Sequence, residues 1–420
     1  MLGYTLLPLF LLGLLSPNLF HLVSSQATVP PELFSPLTPQ KVLATYKASP
    51  SLQWPQYTDG SGRWLFFPPR TWTSGFFPAT LYALNTRRQL CGATDANQLG
   101  IADWVALGRA NSRGLPLDAG GIGHDVGFIS FPFVEELVVN PQNQTAKASI
   151  NSLASALAAR FDGKVGCTRS WDSSDPTDFQ VIIDNMMNLE VLFVSADLTG
   201  NQDLKKIAIS HALTTMNNHV RPDGSSWHVV EYNQTTGKVI RKRTAQGYSD
   251  NSTWARGQAW GIYGFANMHR LTGNPDFLST SRRMANYFLD HLPQDGVVPW
   301  DFQAPLTPAP RPADSSAAAL VSNALLLLAQ QETDPGAKKQ WTDAAIRILN
   351  SITRLAWKPQ WQSLLSNGTV NWPANNYLTG IVYGDYYYIK AANELIKNNI
   401  VTCEGQWTSS RILGVFDVHS

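Results

Sequence analysis

The chain has 420 residues, 44% of them hydrophobic and 11% aromatic, with 14 Trp. That supports a sizeable core in one large domain or two to three small ones. Only 15% of residues are charged and the net charge is +1. This argues against disorder, and no basic run interleaved with aromatics marks a nucleic-acid surface.

The N-terminal stretch MLGYTLLPLFLLGLLSPNLFHLVSSQATVP holds an apolar run from Leu6 to Leu15, followed by small residues. The run is too short to span a bilayer. It predicts a secretory signal over 1–25, cleaved before Gln26, which leaves a single domain over 26–420 with no membrane in the mature form. Asn143, Asn233, Asn251 and Asn367 each stand in an Asn-x-Ser/Thr acceptor, in keeping with a secreted, extracellular glycoprotein. Cys91, Cys167 and Cys403 have no metal-ligand spacing. One disulfide with a free thiol and three buried thiols are both open.

Further along, apolar-rich stretches recur. They begin near Trp72 (WTSGFFPATLYAL), Asp125 (DVGFISFPFVEEL), Val181 (VIIDNMMNLEVLFVSADL), Trp254 (WARGQAWGIYGFANMHRL), Ser315 (SSAAALVSNALLLLAQ) and Tyr377 (YLTGIVYGDYYYIKAANEL). Each is apolar around most of its circumference, as a buried helix is. Between the later ones lie amphipathic segments, QDLKKIAISHALTTMNNHV, PDFLSTSRRMANYFLDHL and AKKQWTDAAIRILNSITRLA, with charged and apolar faces at helical spacing. TGNQD, TGNPD and TDPGA mark the turns that open them, and PQKVLATYKA near residue 40 suits another outer helix. Six buried helices alternating with amphipathic ones predict an all-α (α/α)6 barrel, six inner and six outer. The proline-rich DFQAPLTPAPRPADSS reads as a loop within that domain.

Inner helices of such a barrel run parallel, so residues at their starts share one mouth. Asp184, in an apolar run, has its pKa raised by burial and could hold a proton near neutral pH; Asn188, one turn on, could bond it. Asp125 after GIGH is an N-cap if taken alone. If it shares the mouth with Asp184, two acids face one cavity, a pairing that suits glycoside chemistry. Arg256 and Trp260 fall on one helix face, where Arg could hold a carboxylate and Trp could stack on a sugar; a structural salt bridge and a core Trp are the plain reading. His124, His228 and Gln246 add polar groups nearby. Asp301 and Asp314 read first as loop and helix capping.

SGFF, HDVGF, IIDNMMNL, RPDGSSWHVV, QGYSDNSTWARGQAWGIYGF, DGVVPWDF and DSSAAA, in that order over most of residues 70–330, resemble the unsaturated glucuronyl hydrolases of glycoside hydrolase family 88. The resemblance implies an (α/α)6 barrel that needs no cofactor. It implies a hydrolase acting on an oligosaccharide left by a polysaccharide lyase, whose terminal uronic acid carries a C4=C5 double bond. The enzyme would hydrate that alkene, with Asp184 as general acid/base and Asp125 tuning it. His228, Gln246, Arg256 and Trp260 match substrate-contact positions, with Arg256 assigned to the uronate carboxylate; His124 and Phe77 join them as substrate-binding candidates. Phe77 stands where the family is expected to have Trp, which leaves the preference for the neighbouring sugar in question. Two other readings share these residues: an unsaturated rhamnogalacturonyl hydrolase on pectin fragments, and a conventional inverting glycosidase with two carboxylates about 6.5–9.5 Å apart. A non-catalytic sugar-binding protein is a third.

Overall fold

The computed structural model describes residues 28–406 and 408, except 119, 176 and 307–310. The signal segment expected over 1–25 lies outside the described residues. Twelve α-helices among the described residues alternate around a ring. The inner six are α2 (Phe76–Cys91), α4 (Val126–Val139), α6 (Glu190–Thr199), α8 (Ala255–Thr272), α10 (Ser315–Gln331) and α12 (Val382–Lys397). A 3-10 turn, Ile183–Asn188, leads directly into α6. The outer six are α1 (Leu37–Ala48), α3 (Trp104–Ser112), α5 (Gln144–Ala158), α7 (Asp203–Asn218), α9 (Pro275–Asp290) and α11 (Pro335–Ala356).

The ring closes: α2 packs on α4, α4 on the 3-10 turn and α6, those on α8, α8 on α10, α10 on α12, and α12 back on α2. This is the (α/α)6 barrel the periodicity predicts. α2, α8, α10 and α12 bury most of their residues, as α10 does from Ser315 to Leu326, so they belong between two layers. The outer ones bury a single stripe. The TGN turns act as expected: Gly200 and Gly273 end α6 and α8 in the left-handed region at φ +78 and +71, where glycine carries no Cβ penalty. Pro275 and Pro335 then open α9 and α11 as first-turn prolines.

Two of the six expected inner starts need correction. Val181 begins no helix. Val181 and Ile182 close strand β5 (Asp178–Ile182), which pairs antiparallel with β6 (Val229–Asn233), itself paired with β7 (Val239–Arg243). A run of β-branched residues opposite Val229 and Val230 is better buried as a strand than as a helix start. Tyr377 likewise lies in a hairpin of β8 (Gly368–Asn371) and β9 (Asn376–Thr379), and the sixth inner helix starts at Val382. Two more hairpins complete the small sheets, β1 (Trp54–Thr58) with β2 (Trp64–Phe67), and β3 (Phe161–Asp162) with β4 (Cys167–Thr168).

Cys91, at the end of α2, is disulfide-bonded to Cys403 beyond α12, while Cys167 is a buried free thiol. Burial pushes the Cys167 pKa up to about 12, so it stays a thiol and is unreactive.

Candidate active site

The strand that replaces the expected helix start also aims the principal acid. Pairing of β5 with β6 sets Ile182 opposite Val229, and the Ile183 amide donates to the His228 carbonyl at 3.0 Å. Asp184 therefore emerges from the sheet beside His228, with 3.7 Å between Asp184 Oδ2 and His228 Nε2. The Ala245 amide donates to His228 Nδ1 at 3.2 Å, which makes Nδ1 the acceptor and leaves the ring proton on Nε2, facing the carboxyl. Burial holds the His228 pKa well below its ordinary value, with Arg256 and Arg243 adding to the effect. The imidazole is a neutral donor.

Asp125 stands at the head of α4, yet its side chain does not cap that helix. Asn188 from the 3-10 turn does so instead, its Oδ1 accepting from the Phe128 amide at 3.1 Å. Asn188 thus bonds α4 rather than Asp184, and it also hydrogen-bonds Asp125. The Asp125 side chain is 17% exposed, and the charge of Asp184 is felt there. Burial pushes the Asp184 pKa up to about 7, against the pull of Arg256. Burial and then the Asp184 charge push Asp125 well above its usual value, opposed by Asn188 and Arg160. Two buried acids in electrostatic contact retain a proton near neutral pH.

His124 is fully buried, its Nε2 3.3 Å from Asp125 Oδ1. Burial lowers its pKa to about 3, against an opposing Asn185 hydrogen bond. It sits against Asp125, with no accessible surface of its own in this structure.

Arg256, at the start of α8, is 2% exposed. Its Nη1 donates to Asp314 Oδ2 at 2.6 Å and to the Thr369 carbonyl at 2.5 Å, and its Nη2 to Gln246 Oε1 at 2.9 Å and the Val370 carbonyl at 2.8 Å. All four terminal N–H groups are thereby spent, and only Nε lacks a protein partner. In this structure the terminal fork is engaged by protein groups. Burial opposes the charge, but Tyr383, Asp314 and Asp184 together hold its pKa above the ordinary value. Arg256 is a fixed positive charge, and Asp314, read as a helix cap, both caps α10 through the Ser316 and Ala317 amides and serves as its counterion. Gln246 meets Arg256 through its carbonyl oxygen, which accepts from Nη2.

Trp260 has no accessible surface. Its ring centroid lies 5.2 Å from that of Phe128 and 5.8 Å from that of Tyr387. With Phe76 and Tyr383 it forms an aromatic floor across the barrel, so it stacks on protein rings and not on an open sugar face. Phe77 lies away from this floor. It is buried on the outer side of α2, lining a small gap with Val42, Thr45 and Trp64, because one residue along a helix turns a side chain by roughly 100°. Phe76 takes the inward direction.

Trp72, Trp171 and Trp254 also lie against this group of residues. Trp72 is half-buried above Phe128 and Tyr383, at 5.4 and 5.0 Å. The Trp254 ring lies 4.4 Å from that of His228 and 4.6 Å from the Arg256 guanidinium carbon. Trp171 meets His228 edge-on at 5.9 Å. Trp72 and Trp254 were visible as the first letters of WTSGFF and WARGQAW; Trp171 sits in an irregular segment and carries no periodic signal.

An (α/α)6 barrel that brings two acids, a histidine and aromatic rings together suits a glycoside hydrolase. Comparison with known proteins makes the assignment narrower. The unsaturated glucuronyl hydrolase of Formosa agariphila is 38% identical over 347 residues, 80% of this chain and 82% of that protein. An unsaturated glucuronyl hydrolase described as specific for heparin has a crystal structure matching at TM-score 0.77 and 30% identity, covering 87% of this chain and 96% of that one. Another, solved with dGlcA-Glc-Rha-Glc, matches at TM-score 0.73 and 31% identity over 86% and 94%. No protein-family model matches the chain. The chain belongs to the unsaturated glucuronyl hydrolase family.

Proposed function

We propose that the protein removes the terminal 4,5-unsaturated uronic acid from lyase-generated oligosaccharides by adding water across C4=C5. One observation carries this reading: Asp184 is a buried acid whose pKa rises to about 7, so it holds a proton that it can still surrender. Protonated Asp184 gives that proton to C4. The alkene electron pair forms the new C4–H bond, and positive charge develops at C5 beside the ring oxygen. Water adds to C5 and loses a proton to the Asp184 carboxylate, which restores the acid. The hemiketal opens to a ketone at C5, and the hemiacetal left at C1 releases the next sugar. One water is consumed.

Ionised Asp184 pushes Asp125 further up, so the pair holds on to a proton. The neutral His228 ring lies beside the Asp184 carboxyl, 3.7 Å from Nε2 to Oδ2. Arg256, neutralised on one side by Asp314, attracts the anionic sugar through its field and limits how far the Asp184 pKa climbs. Asp184→Asn tests the assignment. Turnover, followed as loss of the conjugated-uronate absorbance, should fall by about 10²- to 10⁴-fold while the sugar still binds. Near-parental turnover would remove Asp184 from the role. Glycosaminoglycan-type and pectin-type disaccharides assayed side by side separate this activity from the rhamnogalacturonyl reading.

We also propose that the protein is secreted and glycosylated. The Cys91–Cys403 disulfide supports an oxidising compartment. Asn251 is exposed, whereas Asn143 donates through Nδ2 to Glu136 at 2.7 Å, and both Asn233 and Asn367 are half-buried. Asn251 is therefore the expected glycan site. Mass mapping of the secreted protein checks it, along with an N-terminus at Gln26.

A further inference from the structure

Beyond the aromatic floor the inner helices continue, and the face they turn inward becomes polar again. On α8 the lining positions after Trp260 are Tyr263, Asn267 and Arg270. On α12, after Tyr383, they are Tyr387, Lys390 and Glu394. Steps of three and four keep each set on one helix face. Arg270 lies about 15 Å further along its helix than Trp260, so this end of the barrel is remote from Asp184 and Arg256. The groups line two adjoining cavities of about 580 and 570 Å³ that share Glu190, Tyr263 and Lys390. α4 bounds the first with Phe131 and Glu135, and α10 bounds the second with Asn323 and Gln330. Arg270 and Gln330 are exposed, so the chamber opens toward the C-terminal ends of the inner helices.

Polar groups enclosed by a ring of helices cost free energy unless something bonds them. Two of these have no hydrogen-bond partner in the protein. Tyr387 is 1% exposed and its phenol oxygen is unpaired; Asn323 is 2% exposed and its amide oxygen is unpaired. The Asn323 amide nitrogen is held by the Ala319 and Tyr387 carbonyls at 2.8 and 2.7 Å, which fixes where the oxygen stands. One is a donor and the other an acceptor, on neighbouring helices. The walls are aromatic: Phe131 stacks on Tyr386 at 6.0 Å and 27°, and the Tyr263 and Tyr387 rings are 6.1 Å apart. Charge is balanced. Glu190 pairs with Arg270 at 2.6 Å and Glu394 with Lys397 at 3.4 Å, which leaves Lys390 facing Glu135 across the first cavity.

We infer that this chamber is a second carbohydrate site, which takes one uncharged monosaccharide at the end of the barrel opposite the acids. A sugar ring carries an apolar C–H face for the tyrosine rings. Its hydroxyls both accept from a phenol or an ammonium and donate to an amide oxygen. Cavities of this size hold ligands of that class, and the balanced charge gives no preference to an anion. The inference is independent of the hydration reaction, since none of these groups touches Asp184 or Asp125.

Calorimetric titration of the full-length protein with D-glucose, D-galactose and N-acetyl-D-glucosamine tests it. At least one should bind with a Kd of about 1 mM or tighter. Lys390→Met, which removes the ammonium, and Tyr263→Ala, which removes a wall, should each weaken that binding about five-fold or more. Tyr263→Phe keeps the ring and should stay within about two-fold of the parent. Asp184→Asn, at the other end of the barrel, should leave the Kd unchanged. Absence of binding by all three sugars at that affinity would overturn the site. So would a parental Kd in both Lys390→Met and Tyr263→Ala, or a loss in Asp184→Asn, which would put the sugar beside the acids.

Discussion

A carboxylic acid that gives its proton to carbon works only in its protonated form. Asp184 ordinarily titrates near 3.8, and burial brings it to about 7. The acid is therefore present below about 7 and disappears above it, so kcat/KM should fall as pH rises through that value. A pH profile still rising at pH 8 would contradict the assignment. Asp184 was legible in the sequence because the charge is conspicuous between Ile183 and the two methionines that follow Asn185. The state of Arg256 was not. Its partners Asp314, Thr369 and Val370 lie 58, 113 and 114 residues away, and nothing local announces that all its terminal N–H groups are occupied. Phe77 shows a different limit: Phe76 and Phe77 are identical in chemistry, and only helix phase decides which one points inward.

Between elements, contact across the inner ring depends on missing side chains. A Cβ on Gly127 in α4 would come within 2.4 Å of the Asn188 Cα, a backbone atom of the turn that carries Asp184. A Cβ on Gly264 of α8 would lie 2.5 Å from the Met186 Cβ. These glycines let α4 and α8 close on the 3-10 turn from both sides, which fixes Asp184 relative to Asp125 and His228. Gly127→Ala should cost about 1–3 kcal/mol of stability, measured by denaturant unfolding, and should lower kcat more than it raises KM. Unchanged stability and activity would show that the turn yields freely. The TGN turns and first-turn prolines made the later helices legible. The short strands were missed because a four- or five-residue apolar run does not distinguish strand from helix by period; the partner of Val181 is Val230, beyond the whole of α6 and α7.

At the scale of the molecule, the alternation of fully apolar with one-sided helices was enough to predict the barrel. Such burial is satisfied when one ring of helices encloses another. How the ends of the chain are tied was not predictable. Cys91 and Cys403 are 312 residues apart in sequence, and three cysteines allow several pairings. The bond joins the first inner helix to the segment after the last, across the seam where the ring closes. Cys403→Ser should cost about 2–4 kcal/mol while leaving kcat intact, since the bond lies at the C-terminal end of α2 and the acids at the opposite ends of the inner helices. A loss of activity at unchanged stability would refute that separation.

The reaction itself gives the most direct measurement. Turnover of an unsaturated uronyl disaccharide in D2O, stopped early and read by NMR, should place deuterium at C4 of a 4-deoxy-5-keto product as the alkene signal disappears. Release of the second sugar with the C4=C5 bond intact and no deuterium at C4 would mean that attack occurs at C1, and the hydration mechanism would fall.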